Sequence, residues 1–138
     1  MSALFSHNNG FTLIELMVVM IITALLMGIV GPLAFNSLER VEAKAELLSL
    51  NQVISKSGQH AFTHNQSILI KFAGRELKIV TQPKGELLRA IDLEFLFFQP
   101  QEIYITKSGL TLTPEIHTRY KNKEMTLNVK HLLTGAAQ

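Results

Sequence analysis

Apolar residues fall into three regimes along this chain, and each predicts a different element. Between Gly10 and Phe35 they form a nearly unbroken run, GFTLIELMVVMIITALLMGIVGPLAF, with one charge, Glu15, near its start. From Leu16 to Phe35 the run holds about twenty residues, which at ~1.5 Å each cover the ~30 Å hydrocarbon core of a bilayer. A membrane-crossing helix is the expectation. From Asn36 to about Thr63 the pattern turns amphipathic. Leu38, Val41, Ala45, Leu48 and Gln52 recur in three- and four-residue steps, and Leu47, Leu50 and Ile54 widen the stripe. Glu39, Arg40, Glu42, Lys44 and Glu46 occupy the other faces and read as solvated. One helix from Thr12 to about Thr63 is predicted, roughly 75 Å long. Gly58 costs about 1 kcal/mol inside a helix and could end it early.

From Ser67 the period becomes two. Ile68, Ile70 and Phe72 alternate with Leu69 and Lys71, Gly74-Arg75 makes a turn, and Leu77 to Gln82 returns. Pro83-Lys84-Gly85 has the residues of a tight turn. Ile91, Leu93, Phe95 and Phe97 then share one strand face, opposite Asp92, Glu94, Leu96 and Phe98, until Pro100 ends the run. Two hairpins are expected after it. One joins Glu102–Lys107 to Leu110–Thr113 across Ser108-Gly109, and the other joins His117–Tyr120 to Met125–Leu132 across Asn122. Thr134 to Gln138 reads as a frayed tail. The fold class is α+β: a long N-terminal helix packed on a small antiparallel β-sheet head.

Composition narrows this picture. The 138 residues allow one compact domain beside the helix. A net charge of +2 leaves no footprint for nucleic acid. The absence of cysteine excludes disulfides, thiol nucleophiles and thiolate metal sites. A Glu inside an apolar run costs roughly 2.5–3.5 kcal/mol on insertion scales, so Glu15 needs a partner, a task or a wet interface. Pro32, with Gly28 and Gly31 before it, marks a helix kink, a melted turn or a tolerated proline.

The segment Gly10-Phe11-Thr12-Leu13-Ile14-Glu15, followed by the long apolar run, resembles the processing motif of type IV pilins and of the pseudopilins of type II secretion. The resemblance covers about the first third of the chain. It implies that prepilin peptidase cuts between Gly10 and Phe11 and methylates the new amine of Phe11. Glu15 then becomes the fifth residue, able to face the amine of a neighbouring subunit's Phe11, where low dielectric strengthens the pair and offsets desolvation. Pro32 matches a proline often carried late in the family's apolar segment. Met1 to Gly10 is the cleaved leader, with the apolar run after the cut rather than before it as in a secretory signal. That leader holds no Lys or Arg, and the first basic residues are Arg40 and Lys44. The cytoplasmic N-terminus is thus implied by the resemblance alone. The expected division is 1–10 leader, 11–35 transmembrane or filament-core helix, 36–64 amphipathic half and 65–138 periplasmic β-rich head. Implied partners are other pilin or pseudopilin subunits, prepilin peptidase, an inner-membrane assembly platform and membrane lipid.

Little else points to chemistry. No Gly-x-Ser-x-Gly, Walker or dinucleotide motif occurs, so no catalytic residue or cofactor is expected and the chain is not read as an enzyme. His60 and His64 have ligand spacing but no adjacent Glu and no third ligand, so no metal is expected. Asp92 and Glu94 read as a solvated strand face, and His7 as a solvated leader residue. The major pseudopilin's calcium site is not carried over, because KEMTLNVKHLLTGAAQ holds one acid, Glu124. Phe95 to Phe98 reads as core, or in smaller part as a contact for another tip subunit. The expected function is a structural subunit of a type II secretion pseudopilus in the inner membrane and periplasm, favoured by the β-rich head and missing cysteines. The alternatives are a minor pilin of a type IV pilus, a single-span membrane protein with a binding head, and a secreted binding domain freed by signal peptidase.

Overall fold

A computed structural model describes residues 10–134 of the chain. The expectations for the leader before Gly10, His7 included, and for the last four residues lie outside the described residues. Eight elements follow in order: α1 (Leu13–Thr63), β1 (Ser67–Gly74), β2 (Glu76–Gln82), β3 (Leu87–Asp92), β4 (Leu96–Ile105), β5 (Glu115–Tyr120), β6 (Lys123–Asn128) and α2 (Val129–Thr134). The class is α+β. Contacts divide the chain into two compact units between Glu39 and Arg40.

The first unit is helix. α1 stays helical through Gly28, Gly31 and Pro32, so no turn melts there. Pro32 has no N–H to give to the Gly28 carbonyl. Nearby hydroxyls bond back along the helix instead of outward: Thr23 Oγ1 donates to the Val19 carbonyl at 2.8 Å and Ser37 Oγ to that of Leu33 at 3.0 Å. Every large apolar side chain from Phe11 to Phe35 is exposed in the isolated chain.

The second unit is the head. All six strands form one antiparallel sheet in the order β3-β2-β1-β4-β5-β6. It is two three-stranded meanders joined through the β3–β4 link, with β1 against β4 at the centre. The inner face carries Ile68, Ile70, Phe72, Leu77, Ile79, Leu96, Phe98, Ile103, Ile105 and Ile116, all buried. The helix closes this face with Ala43, Leu47, Leu50, Val53, Ile54, Ser57, Gly58 and Ala61, at three- and four-residue steps. Each fully buried Ile, Leu or Phe here contributes roughly 1.5–3 kcal/mol. This corrects the expected stripe: Val41 and Leu48 are both 63% exposed and point away from the sheet, and Leu38, in the first unit, is 54% exposed. The helix has two apolar faces at opposite azimuths, and the pattern alone does not say which one faces inward.

Sheet register explains the other departures. Ala73 pairs with Glu76 across Gly74-Arg75, and Gly74 takes φ 66°, the glycine-first pattern of a two-residue hairpin. The run around Ile91–Phe98 is not one strand. The chain leaves β3 at Asp92, crosses the end of the β1–β2 hairpin with Leu93 N–H on the Arg75 carbonyl at 2.7 Å, and restarts as β4. Leu93, Leu96 and Phe98 are therefore inside, and Phe97 is out, 5.3 Å beneath the Arg119 guanidinium. Nor does Pro100 end the strand. β4 runs through it at a bulge, where Phe72 pairs with Gln101 and Gly74 with Phe98. The extra residue shifts the inward positions from Leu96 and Phe98 to Ile103 and Ile105, and the missing N–H of Pro100 falls where the ladder is already broken. The Gln101 side chain then replaces backbone pairing with β5: its Oε1 accepts from His117 N–H at 3.1 Å and its Nε2 donates to the His117 carbonyl.

The expected hairpin at Ser108-Gly109 is only a turn and a single bridge, Ile105 to Thr111. The strand expected to reach Leu132 ends at Asn128, whose Oδ1 accepts from His131 N–H at 3.0 Å and starts α2. At the far end of α1, Asn65 takes φ 51°, with Gln66 N–H on the Ala61 carbonyl and Asn65 N–H on that of Phe62. This Schellman closure stops the helix, so Gly58 does not. Gly58 is buried for a different reason. A Cβ there would meet Leu133 Cδ2 at 2.6 Å, and a Cβ on Gly109 would meet the Gly58 carbonyl oxygen at 2.9 Å. Gly109 also holds φ 75°. Gly109→Ala is therefore expected to destabilise the head by about 2 kcal/mol, as the left-handed cost and the backbone clash add. A chemical denaturation midpoint unchanged from the parent would contradict this close contact.

Candidate functional site

The segment singled out by sequence is the start of α1. Gly10 and Phe11 precede the helix outside any regular element, and Phe11 is 79% exposed. Thr12 caps the helix. Its carbonyl accepts from Glu15 N–H at 3.1 Å and from Leu16 N–H at 3.2 Å, and its Oγ1 lies 3.4 Å from Glu15 N. Thr12-Leu13-Ile14-Glu15 thus has the T-x-x-E form of a capping box, of which the threonine half is made. Sequence reasoning missed the Thr12 cap, although the four residues signal it. A carboxylate in the first turn also complements the positive end of the helix. Glu15 is exposed, and no ion-pair partner reaches it among the described residues. One chain therefore leaves the Glu15 carboxylate open to a charge from outside.

Beyond the cap, α1 contains a window of mean hydropathy 2.7 with none of its residues buried, long and apolar enough to cross a membrane. Exposed apolar surface of this extent is not stable in water and demands lipid or protein cover. The helix is a single-pass membrane anchor.

On the head, the charge read as a solvated helix residue does something else. Glu46 lies beside the buried stripe and reaches the β3–β4 link. Its Oε2 accepts from Phe95 N–H and Leu96 N–H, each at 2.9 Å, and its Oε1 accepts from Glu94 N–H. Three successive amides converge on one carboxylate, as in a backbone anion nest. Asp92 and Glu94, expected on one strand face, are separated by this arrangement: Asp92 ends β3 and Glu94 belongs to the link. Phe98 is fully buried against Phe72, with ring centroids 4.6 Å apart, so it offers no contact to another subunit.

His60 and His64 stack with centroids 3.9 Å apart and rings 11° from parallel. The His64 Nδ1 lies 3.2 Å from the His60 carbonyl and 3.0 Å from Thr63 Oγ1, which ties the ring to the helix end. No group of three or more His, Asp or Glu comes together among the described residues.

An α+β chain whose long N-terminal helix is apolar and exposed from Leu13 to Phe35, with a capped acidic first turn, has the architecture of a membrane anchor carrying a β-rich head. Residues 5–31 match the prokaryotic N-terminal methylation motif, a stretch that contains Gly10, Phe11 and Glu15. The chain is type IV pilin-like over that segment. No curated protein and no solved structure matches it significantly.

Proposed function

We propose that this chain is a prepilin-like structural subunit of a type II secretion pseudopilus, cut between Gly10 and Phe11 and methylated on Phe11. The observation that carries the reading is the methylation-motif match over residues 5–31, continued by an apolar helix with no cover of its own. The anchor sits in a bacterial inner membrane with the head in the periplasm. In the filament, neighbouring helices cover the apolar segment, and Glu15 meets the methylated amine of the next subunit. Val41 and Leu48, exposed opposite the sheet, give the head-bearing part of α1 a second surface for such packing. Pro32 introduces a kink that lets helices adjust as they leave the bilayer. The β-rich head without cysteines favours the secretion system over a type IV pilus, in which the same chain would be a minor pilin. Recovery with a secretin-linked complex supports the first assignment; recovery only with surface pili supports the second.

Two measurements test the reading. The intact mass of the mature protein should lack Met1 to Gly10 and gain one methyl group; a chain that begins at Met1 in the native membrane would overturn it. Glu15→Ala should leave the head's thermal midpoint unchanged and lower incorporation into filaments at least ten-fold, because one partner of a desolvated pair is worth about 3–5 kcal/mol. Normal incorporation of that variant would remove the charge pair while leaving processing intact.

A further inference from the structure

One groove on the head combines an apolar lining with several basic residues. It encloses about 600 Å³ between the first head turns of α1 and the β5–β6 hairpin. Ala43, Leu47, Leu96, Tyr120 and Met125 form its floor, and Arg40, Lys44 and Lys123 stand at its rim beside Lys121. Among the described residues no carboxylate lines it. Helical steps of ~100° explain the segregation: Arg40 and Lys44 fall on one flank of the buried stripe, Glu42 and Glu46 on the other. Glu46 is already engaged by three amides of the β3–β4 link, and Glu124 borders a separate hollow with Phe97 and Arg119. Arg40, Lys44 and Lys123 have no ion-pair partner among the described residues. The Tyr120 hydroxyl, at the floor, is buried without a hydrogen-bond partner.

We infer that this groove takes the headgroup phosphate of an anionic phospholipid. Charge complementarity supplies the first argument: three cations around an apolar floor suit a phosphate whose glycerol and upper acyl carbons lie beneath it. Chain reach supplies the second. Arg40 follows Phe35, the last residue of the apolar run, by five residues, and five residues span at most ~18 Å in any conformation. The chain therefore holds Arg40 within ~18 Å of the end of the apolar run. A long Lys or Arg can lay its stem on apolar surface while its charge meets the phosphates. This inference requires the membrane anchor but not the filament, so the two fail separately.

The test uses the full-length protein in nanodiscs of equal phosphatidylcholine and phosphatidylglycerol, followed by native mass spectrometry of the lipids it retains. Each basic residue beside an anionic surface gives roughly a five-fold preference, so phosphatidylglycerol should be enriched at least ten-fold. The variant R40Q/K44Q/K123Q should return the retained lipid to the bulk ratio. The control K71Q/K78Q/K107Q removes the same charge elsewhere on the head and should keep the enrichment. Circular dichroism melts verify that both variants fold. Enrichment that survives in the groove variant, or that falls equally in the control, would overturn the site. Displacement of the lipid by millimolar inorganic phosphate would make it a free-phosphate site. Absence of enrichment, with self-association lost in the groove variant, would assign the groove to an acidic surface of a second copy. Either result ends the lipid proposal.

Discussion

Gly10→Val is expected to leave the chain uncut, with Phe11 unmethylated, at a processed fraction at least ~100-fold below the parent, equivalent to about 2.7 kcal/mol in the cleavage barrier. Nothing in the fold demands glycine at this position. A Cβ on Gly10 would meet no atom within 4 Å, and no left-handed φ is imposed there. Gly10 lies outside the helix, two residues before the Thr12 cap, so helix propensity does not constrain it either. Any requirement for glycine must come from an enzyme that approaches the Gly10 carbonyl closely. A β-branched side chain beside that carbonyl blocks the approach, and a methyl group blocks it less, so Gly10→Ala should fall between the two. Intact mass of the membrane fraction reads the outcome, and the head's thermal midpoint should not move. Processing of the valine variant at the parental level would separate this chain from the peptidase altogether.

The anchor and the class of the fold were legible because they rest on signals that a single chain states redundantly. The run to Phe35 needs no partner to be recognised, and the alternation from Ile68 to Gln82 around Gly74 fixes a hairpin locally. Azimuth was not legible. Val41 and Leu48 repeat with the same period as Leu47, Leu50 and Ile54, and only the sheet decides which set is buried. The region from Ile91 to Ile105 misled for a related reason. Its apolar residues alternate well enough for one strand, but two interruptions reset the parity: the link at Leu93–Phe95 and the bulge at Pro100. Both depend on partners distant in sequence, Arg75 and Glu46 for the first and Phe72 to Gly74 for the second. The same distance hid Glu46 itself, which lies in a helix full of charges and differs from Glu42 only in what folds over it.

Glu46→Ala is therefore expected to destabilise the head, against the effect ordinary for such a change. On a solvated helix face, alanine would raise stability by a few tenths of a kcal/mol through its higher propensity. Here it strips the acceptor from three amides, two of them on residues at least partly buried. Hydrogen bonds to a charged group contribute about 1.5–3 kcal/mol each, and the exposed Glu94 amide can turn to water, so a net loss of about 3 kcal/mol is expected. In a head of this size that corresponds to roughly 15 °C in thermal midpoint. The loss exceeds that of a typical surface charge because of where the amides lie. They belong to the short link that joins the two meanders and to the first residue of β4, where Leu93 and Leu96 are both buried. Freeing the link loosens both side chains and the entry of β4 into the centre of the sheet. Glu46→Gln keeps one acceptor oxygen and should retain about half the contribution. A melt of the full chain in detergent, followed by circular dichroism, distinguishes the two accounts by sign: a midpoint at or above the parent for Glu46→Ala would return Glu46 to the solvated face and leave the link held by the sheet alone.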